Sequence, residues 1–133
     1  MKMHLSFSTD DLQSSVAFYT TLLGSPPVKR HDDYALFITE QPSLELALDV
    51  GDDPKVEGST HYGIVVDTEA AVDGTIRRLQ RDGVAVRVER DETCCYATQT
   101  KVWATDPNGR PWEVYTVLAE SSERDGDRET CCT

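Results

Sequence analysis

A chain of 133 residues is long enough for one compact domain with a true hydrophobic core. Its 24 acidic side chains against 13 basic ones leave a formal net charge of −11, which argues against nucleic acid or an anionic membrane surface as partner. No secretory apolar region stands at the N-terminus, no apolar run is long enough to span a bilayer, and the four cysteines fall as adjacent pairs, 94–95 and 131–132; a reducing cytoplasm is the expected compartment.

His4 to Ser8 alternates and predicts a strand, with Leu5 and Phe7 on one face and His4, Ser6 and Ser8 on the other. Asp10 followed by Gln13 has the form of a capping box. Leu12, Val16, Tyr19 and Leu23 recur at helical spacing, Gly24 suits the position after a helix, and Pro26-Pro27 stops it. Tyr34 to Ile38 and Leu44 to Leu48 predict two strands, while His31 falls in a polar turn and receives no role. Residues 51–58 form a charged connector. His61 to Asp67 predicts another strand. Val72, Ile76 and Leu79 predict a second helix ended by Gly83, although Gly74 inside it costs about 1 kcal/mol relative to alanine. Val84 to Val88, Lys101 to Ala104 and Trp112 to Val117 predict three more strands, with a turn at Asp106-Pro107-Asn108-Gly109 before the last.

The second half repeats the first. His4-x-x-Phe7-x-x-Asp10 matches His61-x-x-Ile64-x-x-Asp67, and a glutamate between apolar neighbours, Glu45 or Glu113, marks the last strand of each half. The fold expected is α+β: two paired βαβββ modules, residues 1–50 and 60–118, forming a curved mixed sheet with a metal site in its concavity. Residues 119–133 are polar, lack periodicity and form a flexible cysteine-containing tail.

Two features carry the chemistry. Cys94 and Cys95 are neighbours, and a disulfide between them closes a small, strained ring. Held reduced, the pair is a soft clamp for a thiophilic centre; the alternative is that one or both are buried small hydrophobes. Neighbours on a regular strand face opposite ways, so a shared task needs a bent or looped backbone there. His4, His61 and Glu113 share the strand face opposite Leu5, Phe7, Tyr62, Ile64, Trp112 and Val114. Two histidines and a carboxylate from three strands match the facial triad that binds a divalent metal, most typically Fe(II), and leave coordination positions open. Glu45 lies on the same face, as a fourth ligand or as a neighbouring, solvent-facing carboxylate. Tyr96, beside the thiols, is a candidate pocket wall. Glu129-Thr130-Cys131-Cys132 echoes Glu92-Thr93-Cys94-Cys95, so Cys131 and Cys132 are either a second soft-metal clip or an accident of the tail.

With its repeated βαβββ order, its His4/His61/Glu113 placement and its Asp-Pro-Asn-Gly turn, the chain over residues 1–118 resembles the vicinal oxygen chelate superfamily of glyoxalases, fosfomycin- and bleomycin-resistance proteins and extradiol dioxygenases. Thr93-Cys94-Cys95-Tyr96-Ala97, Lys101 to Pro107 and Pro111 to Tyr115 more narrowly resemble the carbon–arsenic lyases and cadmium-induced proteins. That resemblance implies Fe(II) on His4, His61 and Glu113, a trivalent organoarsenical on Cys94 and Cys95, and dioxygen-dependent cleavage of the carbon–arsenic bond. Two competing expectations remain: a non-enzymatic cadmium- or arsenite-binding protein, and a glyoxalase-like isomerase or thiol transferase that uses Glu45. The expected assembly is a monomer or a homodimer.

Overall fold

A computed structural model describes residues 1–52, 61–94 and 96–122, with Cys94 described by its backbone alone. The charged connector beyond residue 52 and the tail from 123 on, with Cys131 and Cys132, lie outside the described residues. Two compact units divide the chain: Met1–Val56 with Asp106–Gly109, and Glu57–Thr105 with Arg110–Thr133.

The first unit runs β1 (Met3–Thr9), α1 (Leu12–Leu23), β2 (Lys29–His31), β3 (Tyr34–Glu40) and β4 (Ser43–Val50). Its four-stranded sheet has the order β1-β4-β3-β2, with β1 parallel to β4 and the other pairs antiparallel. Leu46, Leu48 and Phe37 are fully buried, as is Tyr19 of α1, whose ring meets Phe18 edge-on at 5.0 Å. Asp11, not Asp10, caps α1: its carboxylate accepts from the backbone N–H and the hydroxyl of Ser14. Those two bonds, the backbone one larger, hold its pKa below the ordinary carboxylate value. Asp10 is occupied elsewhere, accepting a 2.9 Å hydrogen bond from the Asn108 side-chain amide. Gly24 ends the helix at φ 74°, and its N–H reaches the Thr20 carbonyl. The strand β2 was not expected. Its three residues are all exposed, so no alternation marks them; they are held by pairing with β3, His31 opposite Tyr34. His31 therefore ends a short edge strand rather than sitting in a turn.

The second unit repeats the order: β5 (Tyr62–Val65), α2 (Glu69–Arg81), β6 (Arg87–Cys94), β7 (Ala97–Thr105) and β8 (Pro111–Glu120). Its sheet has the order β5-β8-β7-β6, again with the first and last strands parallel. Val72, Ile76 and Leu79 of α2 are buried, and the helix starts at Thr68, whose hydroxyl accepts from Ala71 N–H. A Cβ on Gly74 would meet only the Arg77 guanidinium, at an ordinary 3.8 Å, so nothing in the packing requires glycine there. The strand expected over 84–88 begins instead at Arg87 and runs to Cys94. Its charged stretch Glu89 to Glu92 hides the alternation, which an edge strand tolerates. At its other end β8 continues to Glu120, two residues into the stretch expected to be tail.

Candidate functional site

The second unit gathers its chemistry on one face of its sheet. Glu113 stands opposite Gly63 in the β5–β8 ladder and opposite Trp103 in the β7–β8 ladder. Its side chain is only 10 % exposed. One carboxylate oxygen, Oε2, accepts from Lys101 Nζ at 3.1 Å. The other, Oε1, lies 3.8 Å from Nε2 of His61. A Cβ on Gly63 would come within 3.2 Å of both Cγ and Oε1 of Glu113 and within 3.3 Å of the Tyr115 ring. The missing side chain is thus what lets the carboxylate lie across β5 toward the histidine. Around this pair, the His61 ring meets Trp103 edge-on at 5.3 Å, and Lys101 Nζ lies 5.6 Å and 5.4 Å from the centres of the Trp103 and Tyr115 rings. Burial, and then the nearby Glu113 charge, raise the pKa of the Tyr115 hydroxyl. Among the described residues, the buried Glu89 Oε2 and Trp103 Nε1 of this unit have no hydrogen-bond partner. Trp112 belongs to the other face, stacked at 5.2 Å on Tyr62.

Lys101 received no role from the sequence, where it is only the first residue of an expected strand. The signal was parity: positions 101, 103, 113 and 115 alternate onto one face once β7 and β8 are paired.

In the first unit, His4 and Glu45 are ladder partners on β1 and β4, with His4 Nδ1 and Glu45 Oε1 4.0 Å apart. Both are open to water, their side chains 57 % and 41 % exposed. The repeat does not make Glu45 the counterpart of Glu113. Gly63 opposes Glu113, and its counterpart in the repeat, Ser6, opposes Ala47. Alanine therefore stands where a repeat-related fourth carboxylate belongs.

Cys94 ends β6 and pairs with Ala97, which begins β7, with Tyr96 in the turn just before it; Cys95 lies outside the described residues. Tyr96 is half exposed and holds a left-handed φ of 66°, uncommon for a residue with a side chain. Its carbonyl accepts from Ser121 N–H at 2.8 Å, just past the end of β8. The turn lies at the end of β8 remote from Glu113. Glu120, opposite Ala97, is seven residues along the strand from Glu113, about 23 Å of extended chain. A register shift interrupts the β6–β7 ladder between Glu89 and Glu92, another interrupts the β7–β8 ladder between Thr98 and Gln99, and Asp91 has a φ of 52°.

Imidazole nitrogen and carboxylate oxygen are donors that divalent transition metals accept. At ligand distances of about 2.0–2.2 Å, two ligands of one ion stand roughly 3 to 4 Å apart, so the 3.8 Å between His61 and Glu113 fits a shared ion. It is also too long for a hydrogen bond between them. Among the described residues no group of three or more His, Cys, Asp or Glu side chains is gathered as metal ligands. A hollow of about 490 Å³ in this unit is lined by Val86, Arg87, Trp103 and Pro111 among others, but not by His61, Glu113 or Lys101.

Residues 3–114 match the glyoxalase/bleomycin resistance protein/dioxygenase superfamily. The chain belongs to that superfamily. It is 38 % identical to the trivalent organoarsenical cleaving enzyme of Thermomonospora curvata, over 99 % of this chain and 88 % of the relative. It is 37 % identical to the cadmium-induced protein CadI of Mycobacterium bovis, over 98 % of this chain and 92 % of that one. Among solved structures, the fosfomycin resistance protein FosX of Listeria monocytogenes superposes with a TM-score of 0.69 at 17 % identity, over 87 % of this chain and 92 % of that one. This last likeness is one of fold. No described helix is long and apolar enough to cross a membrane.

Proposed function

We propose that this protein cleaves the carbon–arsenic bond of trivalent organoarsenicals such as methylarsonous acid, with Fe(II) on His4, His61 and Glu113 and with dioxygen as co-substrate. The observation that carries the reading is the 38 % identity, across nearly the whole chain, to an enzyme named for that cleavage. The adjacent cysteines at the β6–β7 turn and the 3.8 Å His61–Glu113 pair support it. His4 enters from the sequence repeat.

Methylarsonous acid has one carbon substituent and two exchangeable hydroxyls. The thiols of Cys94 and Cys95 displace both hydroxyls as water, leaving the methyl group as the sole other substituent on arsenic. Two-point attachment fixes which bond is presented, and orientation of this kind is a large part of catalysis. Bound Fe(II) supplies the redox chemistry with dioxygen that thiols, imidazoles and carboxylates lack. Overall, methylarsonous acid and dioxygen give arsenous acid and formaldehyde, with carbon, hydrogen, arsenic and oxygen balanced. Productive chemistry requires the cysteine turn to reach the Glu113 face, so the β6–β7 ribbon must bend at its interrupted register.

The similarity to a cadmium-induced protein favours one second reading, a thiol module that sequesters cadmium or arsenite without turnover. An isomerase using Glu45 as a fourth ligand has the 4.0 Å His4–Glu45 pair in its favour, although Ala47 holds the ladder position matching Glu113. An anaerobic Fe(II)-loaded sample given methylarsonous acid and then air separates the readings. Formaldehyde and arsenite in equal amounts, both lost in Cys94→Ser and His61→Ala, are expected. Tight arsenic binding that survives His61→Ala with no formaldehyde from the wild type establishes sequestration instead.

A further inference from the structure

We infer that Lys101 is a positioning residue: by engaging Oε2 of Glu113 it leaves the carboxylate a one-oxygen donor, Oε1, facing His61. The inference rests on the metal-ligating reading of His61 and Glu113 given above.

Lysine is almost never fully buried unless paired, yet Lys101 is only 3 % exposed. Removing an ammonium from water costs several kcal/mol, so an apolar residue at this position would serve the sheet better if packing were its task. Three contacts hold the cation instead. Its ion pair with Glu113 spans 3.1 Å, and two ring faces, Trp103 and Tyr115, lie within the roughly 6 Å over which an aromatic face attracts a cation. Trp103 also touches the His61 ring, so one indole braces the ammonium and the imidazole together. Beneath the carboxylate, Gly63 leaves room for this one placement of Oε1.

The consequence is a matter of counting donors. A carboxylate with both oxygens free binds a cation through one or both of them. With Oε2 engaged by a buried ammonium, Glu113 contributes one bond, and an additional coordination position stays open for an incoming ligand. Lys101 also neutralises the charge of Glu113, so the site binds a divalent cation less tightly than a bare carboxylate would. Openness is favoured over affinity.

Co(II) alone, added to the full-length protein without arsenical, is the probe, since its visible absorption reports coordination number. The wild type is expected to bind Co(II) with a visible spectrum that His61→Ala abolishes. Lys101→Met is expected to bind Co(II) about tenfold more tightly, because a buried like charge is gone and Oε2 is released. Its visible absorption should weaken as coordination number rises, and Lys101→Arg should restore the wild-type spectrum. Lys101→Gln, which removes the charge and shortens the reach, should shift spectrum and affinity in the same direction, and serves if the methionine variant does not fold. A wild-type spectrum and affinity in both neutral variants, with only a lowered melting temperature, overturns the inference and leaves Lys101 a structural brace. A wild-type spectrum indifferent to His61→Ala overturns the site reading itself, and the inference with it.

Discussion

Gly63 shows how one absent side chain sets the geometry of a site. Interior strand glycines cost backbone entropy and contribute no packing, so a reason is needed, and here it is the Glu113 carboxylate lying over the backbone. Gly63→Ala should lower stability modestly, by about 1 kcal/mol, because Glu113 and Tyr115 must yield a few tenths of an ångström. Its effect on divalent-metal affinity should be larger, at roughly tenfold or more, since Glu113 is pinned by Lys101 and moves off its line to His61. Denaturant melts of the metal-free protein and Co(II) titrations check the two halves separately. Equal small effects on both would mean that the carboxylate's position is not critical. The sequence displayed His61 and Glu113 through their place in the repeat, but Lys101 and Gly63 emerged only once strands were paired. Which residues flank a carboxylate on neighbouring strands depends on register, and register is a long-range property.

At the scale of elements, buried aromatic and turn chemistry do separate jobs in the two units. Within the first unit, the hydroxyl of the fully buried Tyr19 donates to Asp106 Oδ2 at 2.6 Å, and Oδ1 of the same carboxylate accepts from Asn108 N–H at 2.9 Å. The Asp-Pro-Asn-Gly turn, legible from its residues, is thus clasped to the first helix by an atom that helical periodicity marks only as core. Tyr19→Phe keeps the ring and leaves that buried carboxylate one donor short. It should cost about 1–3 kcal/mol in urea unfolding, with Co(II) binding by the folded protein unchanged. A cost below about 0.5 kcal/mol would show that water replaces the hydroxyl. In the second unit the element that matters is the β6–β7 ribbon. A shared task for Cys94 and Cys95 needs a looped backbone; Cys94 closes β6 opposite Ala97, and Cys95 lies outside the described residues. The distance of this turn from Glu113 along β8 was not legible, because charged residues disguised most of β6 as connector. If the ribbon bends to bring arsenic to the Glu113 face, arsenite binding should slow amide hydrogen exchange across 91–99 in the Co(II)-loaded protein more than in the metal-free one. Equal slowing in both would mean that the thiols hold arsenic without addressing the metal site.

For the whole molecule, duplication is what made the fold readable: two βαβββ passes carry matching histidines, and the superfamily assignment over residues 3–114 agrees. Duplication also put a glutamate in each last strand, and the ladders seat the two differently: Glu45 opposite His4, Glu113 opposite Gly63, with Ala47 opposite Ser6. The same ladders decide how the tail is to be tested. Cys131 and Cys132 are proposed to deliver or receive arsenic, because arsenite has three exchangeable positions and the turn thiols fill two. A cut after residue 118 would remove Ala119 and Glu120 from pairing with β7 and the Ser121 bond to Tyr96, disturbing the cysteine turn directly. The informative cut falls after Ser122, beside the Cys131→Ser/Cys132→Ser double variant in the full chain. Both should retain formaldehyde release per enzyme in the first turnover, and both should bind arsenite at least tenfold more weakly, the loss of one of three soft ligands. If arsenite affinity is the same in both variants and in the wild type, the tail thiols take no part. If the cut weakens binding and the serine variant does not, the tail acts through something other than sulfur.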